Sequence, residues 1–368
     1  MSAPQTRSAH AKKRKLAAAG SSVDSVRSSD AALVRDEHIW FEDGFIIIRA
    51  GPGCAGEGPV YGFRCHGSVL AARSPVFKIM LQLPTPAHER LEGASCVNLP
   101  DSWEDVRDLL RLLYDFVDLT CLGQKQRHSD TLKIISGPLR MAAKYDMESV
   151  TKQLTPFLTR DWPSSPGDWL EFEGTLEPAW ERQRPQDPAA VVRLAQDVRL
   201  RAVLPAAFYE LSRSFLRRPP YQDLPDNCAD SSLLTRDDLE RLAVGRERIQ
   251  RFVTRDVVQS LRRELELYQI DGADVLCENM TGRAKTPCIA HLLGWWNIRV
   301  AMYMEELVHD PLRTLELLSS KVRSAGSDQA LRETCGGCRG WCSRFLIDST
   351  FSLWGELPKF FELDSLPF

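Results

Sequence analysis

The chain has 368 residues, 43% of them hydrophobic and 26% charged, a composition that supports about one to three packed globular domains. A formal net charge of −3 excludes whole-chain attraction to nucleic acid or anionic membrane, and no apolar run reaches transmembrane length. The N-terminus lacks the long apolar core of a secretory signal, so an intracellular, reducing setting in nucleus or cytoplasm is expected, with the ten cysteines as thiols or metal ligands rather than disulfides.

Residues 1–36 read as a disordered tail rich in Ala and Ser, with seven basic against three acidic side chains. Its cluster Lys12-Lys13-Arg14-Lys15 is of the kind a nuclear import receptor reads, and also of the kind that is simply solvated. Folded structure is expected from Glu37. Ile39-Trp40-Phe41 forms a short strand, Glu42-Asp43-Gly44 a hairpin-type turn and Phe45–Ile48 a second strand. Gly51–Pro59 then spells Gly51-x-Gly53-x-x-Gly56. A dinucleotide fingerprint needs a helix to start inside that motif, and here another strand follows, so the stretch is a hairpin loop.

Tyr61, Phe63 and Cys65 alternate with Gly62, Arg64 and His66, the pattern of a half-buried strand. Val69, Leu70 and Arg73 then adopt helical spacing. Ser74-Pro75 supplies an N-cap and a first helical residue for a second helix. Its apolar face is Val76, Phe77, Met80 and Leu81, and Pro84 and Pro86 end it. Cys96–Leu99 is a brief strand and Pro100-Asp101-Ser102 caps the next helix. Val106, Leu109, Leu110, Leu113 and Tyr114 form that helix's buried stripe. Gly123–Asp130 is a polar loop, and Leu139–Tyr145, Met147 and Leu154 lie in a closing helix pair.

The order and spacing of Phe63, His66, Val69, Leu70, Ala71, Ser74 and Phe77, with Met80 three residues on, resemble the signature of the BTB/POZ family. Tyr114 and Tyr145 sit in helices comparable to the family's, and Asp43 resembles a family Asp near the dimer interface. Gly67 departs from the pattern, since the family often has Lys or Arg there. The resemblance implies an α+β fold over residues 37–160, a small sheet with a helical cluster, in which His66 is structural. It also implies self-association as a homodimer through the first strand and the helix after His66, and recruitment of other proteins.

Asp161–Asp187 holds Pro163, Pro166, Pro178 and Pro185 with Trp162, Trp169 and Trp180, and reads as a Pro/Trp-rich connector whose tryptophans either bind partners or pin it to a core. Residues 188–368 read as a mostly α-helical C-terminal domain. One face carries Val191, Val192, Leu194, Ala195 and Val198. The next helix starts at Pro205 and carries Phe208, Leu211 and Phe215. Thr235 caps a helix with Leu239 and Leu242, continued by Ile249, Phe252, Val253, Val257 and Leu261. Asp237-Asp238 at that helix start is explained by the helix dipole. Ile289–Leu307 contains Trp295 and Trp296, Asp310-Pro311 opens another helix, and the last helix spans Cys338–Leu353. This half resembles the C-terminal region of BTB proteins of filamentous and mushroom-forming fungi, on Gly245-Arg246-Glu247, the spaced Cys and Trp354…Leu357-Pro358.

Cys277, Cys288, Cys335 and Cys338 are the candidate metal set, with Cys342 a spare. Cys335-Gly-Gly-Cys338 is a tight knuckle that can take two adjacent tetrahedral corners, whereas the ten-residue spacer between Cys277 and Cys288 is longer than a usual knuckle. A structural zinc and a set of buried free thiols both fit. A redox pair lacks the βαβ setting that a thioredoxin-like motif needs.

The leading functional reading is a protein-interaction scaffold or adaptor, not an enzyme. No nucleophile elbow, phosphate loop or HExxH occurs. Two alternatives share the interaction class. One is a substrate adaptor of a cullin-type ubiquitin ligase, weakened because Ala87-His88-Glu89 is a poor version of the hydrophobic-x-Glu element. The other is a nuclear, transcription-associated scaffold. Outside that class stand an enzyme and a zinc-dependent nucleic-acid binder, the latter lacking C-x-x-C…H-x-x-x-H repeats.

Overall fold

The structure is a computed structural model that describes residues 33–51, 58–84, 90–123, 130–174, 186–218, 228–271, 277, 287–326 and 328–367. The basic cluster Lys12–Lys15, most of the Gly-rich loop, Ala87-His88-Glu89 and Trp180 lie outside these residues.

Five strands form the main sheet: β1 (Val34–Trp40), β2 (Ile46–Gly51), β3 (Tyr61–Cys65), β4 (Arg90–Leu91) and β5 (Ala94–Ser102). Their order is β1-β3-β2-β5-β4. The first strand begins at Val34, three residues before the expected start at Glu37. Strands β1 and β2 do not pair, although Glu42-Asp43-Gly44 joins them in a turn. Instead β3 lies between them, parallel to β1 and antiparallel to β2. The β2–β3 hairpin agrees with the reading of the Gly-rich stretch. Ile46, Ile48, Phe63 and Cys65 point to the main core, while Ile47 caps a small second cluster with Ala94 and Cys96. The alternating pleat makes this division.

Helices α1 (Gly67–Arg73) and α2 (Pro75–Met80) follow β3 directly, then α3 (Trp103–Leu113), α4 (Thr120–Gly123), α5 (Thr131–Lys144) and α6 (Glu148–Asp161). The expected caps form. Ser74 Oγ accepts from the Phe77 amide at 3.0 Å, and Ser102 Oγ accepts from the Asp105 amide at 3.2 Å. In α3 the buried stripe is Val106, Leu109, Leu110 and Leu112, with Leu113 and Tyr114 only half-buried.

The connector is part of the core rather than a tether. It contains α7 (Pro166–Gly174), and Trp162 and Trp169 are each 1% exposed. Trp169 meets Tyr209 edge-on at 5.7 Å and Trp354 at 5.5 Å, and the Trp354 indole donates to the Ser164 carbonyl. These tryptophans therefore pin the segment, and one continuous apolar core runs from the sheet into the helical half.

That half comprises α8 (Pro188–Asp197), α9 (Leu204–Ser212), a two-stranded pair of β6 (Phe215–Arg217) and β7 (Cys228–Asp230), α10 (Arg236–Arg251), α11 (Ser260–Asp271), α12 (Pro287–His309), α13 (Pro311–Ser324), α14 (Gln329–Arg332) and α15 (Gly336–Phe360). Three expectations are corrected. Phe215 lies exposed in β6 because Arg213 and Ser214 turn the chain out of α9. Leu239 is exposed on α10. The last helix runs on to Phe360 with Pro358 inside it.

Between α10 and α11, Phe252–Gln259 is a π-helical segment. Ile249, Val253, Val257, Leu261 and Leu265 are all buried and recur every fourth residue. At about 3.6 residues per turn such a stripe would rotate by roughly 40° per step. The wider π turns cancel much of that drift and keep the stripe facing the core.

Gly245, in the middle of α10, packs directly against the ring of Phe361. A Cβ there would stand 2.1 Å from two atoms of the Phe361 ring. Phe361 is fully buried and packs on Phe208 at 5.3 Å, so its ring has nowhere to move. Gly to Ala in a helix ordinarily gains about 1 kcal/mol. Here Gly245→Ala is expected to lose about 2 kcal/mol net, because overpacking exceeds the propensity gain. Urea unfolding reads the sign, and a stabilised variant would mean that Phe361 repacks freely.

Candidate functional site

The signature residues form two hydrogen-bonded assemblies at the junction of sheet and helices. At the end of β3, the His66 amide donates to the Tyr114 hydroxyl at 2.9 Å, and His66 Nδ1 lies 2.9 Å from the same oxygen. The direction of the second contact follows the imidazole tautomer. The remaining ring nitrogen, Nε2, faces Asp43 Oδ2 at 3.2 Å. Hydrogen bonding to His66, with its own backbone amide adding to it, holds the Asp43 carboxyl below the usual carboxylate range. Burial pushes the Tyr114 phenol up. Phe41 packs over both rings. His66 thus fastens the turn before β2 to the end of α3, a structural task.

The second assembly surrounds Ser74. Its hydroxyl donates to the Tyr145 carbonyl at 2.5 Å while capping α2. The Phe77 ring stacks on Tyr145 at 4.5 Å, and the Tyr145 hydroxyl donates to Asp101 at 2.6 Å. Leu70 and Phe63 are buried, and Val69, Ala71 and Met80 are half-buried. Gly67 has a local reason. A Cβ there would press on Leu81 Cδ1 at 3.0 Å and the Phe45 ring at 3.1 Å.

The cysteine set converges from three separated segments. Cys288 lies in the first turn of α12, Cys335 is the N-cap of α15, Cys338 lies in that helix's first turn, and Cys277 comes from the stretch before α12. All four sulfurs lie within 4.8 Å of one another. Cys277 Sγ is 3.7 Å from Cys288 Sγ and 3.9 Å from Cys335 Sγ. The Cys335 amide points at Cys288 Sγ, 3.3 Å away, and the Cys338 amide at Cys335 Sγ, 3.4 Å away. Burial pushes the Cys338 thiol up, and the neighbouring Cys335 and Cys277 add to it. Cys342 is fully buried four residues further along α15 and is not among the four; burial lifts its thiol to about 12.

A family model for the BTB/POZ domain matches residues 60–161. These residues are a BTB/POZ domain. The match covers β3 through α6, and β1 and β2 complete its sheet from upstream. No curated protein matches the chain, and no solved structure does. BTB/POZ domains are protein-interaction modules, which supports an interaction or adaptor role.

Around this BTB/POZ domain the sequence pattern missed one feature. Phe45, Val76, Ile79 and Leu83 are exposed, Ile79 by 65% and Phe45 by 55%. Val76 and Ile79 are three apart on α2 and share its outer face. Phe45 lies over Gly67 at the start of α1, beside Leu81 at the end of α2. Helical spacing made Val76 a core residue. A short amphipathic helix with apolar residues on both faces, here Phe77 inward and Ile79 outward, was the available signal. Among the described residues, no helix is long and apolar enough to cross a membrane.

Proposed function

We propose that this protein is an adaptor that self-associates through its BTB/POZ domain and uses the helical half to engage a second protein. The apolar patch of Phe45, Val76, Ile79 and Leu83 carries the reading. A large aromatic and three aliphatic side chains held on a rigid strand end and helix lose water-exposed surface when covered. A two-fold axis at such a patch lets the same residues serve both copies. The fixed backbone matters as well. His66 anchors the start of α1 and Ser74 the joint between α1 and α2, so the backbone that carries Val76 and Ile79 is ordered before any partner arrives.

The test is the mass of the full chain in solution, wild type against Phe45→Asp/Ile79→Asp. Both residues are exposed, so the substitutions leave the core intact, which circular dichroism checks. Wild type is expected to be dimeric at about 10 μM, within the reach of ordinary protein–protein affinities. The double variant is expected to be monomeric with unchanged helix content. A wild-type monomer at that concentration would remove self-association from the reading.

A further inference from the structure

We propose that Cys277, Cys288, Cys335 and Cys338 bind one zinc ion in a closed tetrathiolate site that clamps the first turns of α12 and α15 together. The sulfur spacing carries the inference. Zinc–thiolate bonds of about 2.3 Å arranged tetrahedrally require sulfur–sulfur edges of roughly 3.8 Å. Two of the six edges, at 3.7 and 3.9 Å, match that figure, and all six lie within 4.8 Å. A disulfide would need about 2.05 Å, and four unassociated thiols have no reason to meet at the spacing of one coordination shell.

The surroundings fit a dianionic centre. Two long helices, α12 and α15, direct their N-termini at the cluster, and each places a cysteine in its first turn or at its cap. The positive ends of both helix dipoles therefore face the four thiolates. Two backbone amides point at sulfur, those of Cys335 and Cys338. Such amides partly neutralise thiolate charge and fix the ligand geometry. Gly336 and Gly337 place no side chain between the knuckle and the ion.

All four corners are supplied by protein and three of the four cysteines are buried, so no position is open to water or substrate. The site is structural. Nearby links between α12 and α14 include the His291–Glu333 contact and the Arg299–Asp328 ion pair, the first of them half-exposed. Binding replaces four S–H bonds by four zinc–sulfur bonds and releases four protons, with no change in oxidation state. Metal retention should therefore weaken in acid.

The experiment measures metal in the full chain purified without chelator, followed by cobalt exchange of the wild type. About one zinc per chain is expected. Cobalt in its place should show the sulfur-to-metal charge-transfer bands of a tetrahedral thiolate site. Cys335→Ser and Cys277→Ser should each bring zinc close to zero, and Cys342→Ser should leave it unchanged. Cys277 lies outside any helix, so its variant keeps the test usable if Cys335→Ser fails to fold. Metal-free wild type with reactive thiols, iron in place of zinc, cobalt bands lacking thiolate character, or zinc lost in Cys342→Ser would each overturn the proposal.

Discussion

Phe77→Ala is expected to destabilise the protein by about 3–5 kcal/mol. Phe77 is 1% exposed and lies at the crossing of three constraints. Its amide is capped by Ser74, its ring stacks on Tyr145, and Tyr145 is in turn held by Asp101. Removing the ring leaves a cavity that rigid neighbours cannot close, because Ser74 also holds the Tyr145 backbone. The cost is then the lost transfer energy plus the cavity term. Val76→Ala, one residue earlier on the exposed face, should change stability by no more than about 0.5 kcal/mol. Urea unfolding of the two full-length variants makes the comparison. A loss below about 1 kcal/mol for Phe77→Ala would mean the neighbours collapse into the space.

Arg213→Met is the second large effect. Arg213 lies just after α9, and its guanidinium bridges Glu210 on that helix and Asp310 before α13. Arg213 and Glu210 are almost wholly buried. The Tyr209 hydroxyl donates to Asp310 at 2.7 Å and accepts from the Leu312 amide at 3.1 Å, which makes the network continuous with the start of α13. The guanidinium also lies over the rings of Tyr209 and Trp169. Truncation takes the guanidinium away from a buried carboxylate, at a cost of about 3–5 kcal/mol. The decisive comparison is Arg213→Met/Glu210→Gln. Removing the Glu210 charge should recover a large part of the loss, although Asp310 still loses the guanidinium and keeps the Tyr209 hydroxyl. A double variant no more stable than the single one would show that the guanidinium acts by packing on Trp169 and Tyr209, not by pairing.

Several residues of both networks stood out in the sequence, but not which of them pair. Glu210 sits in the apolar run Leu204–Leu211, and a charge placed among such residues was the visible sign of a buried pair. Its partner Arg213, however, lies three residues on, and the second carboxylate on that guanidinium, Asp310, is 97 residues further along the chain. The same limit applied to the exposed patch. Periodicity marks residues that are apolar, and only packing shows which apolar side chains find no cover.

What the sequence determined by itself were the features encoded within a few residues. The strand Tyr61–Cys65, the Ser74-Pro75 start of α2 and the Ser102 and Thr235 caps all follow from local backbone and capping chemistry, and α13 starts at Pro311 as expected, although the Asp310 side chain makes no cap and is held by Tyr209 and Arg213 instead. The dense signature from Phe63 to Met80 named the BTB/POZ domain for the same reason. Tertiary structure alone decided where separated segments meet. It put β3 between β1 and β2, chose Leu112 over Leu113, and carried the last helix through Pro358. It also brought Cys277 and Cys288 to the Cys335–Cys338 knuckle, across a spacing that no local rule reads as a ligand set. Local propensity is summed along the chain, whereas burial is settled between surfaces, and those surfaces exist only after the chain has folded.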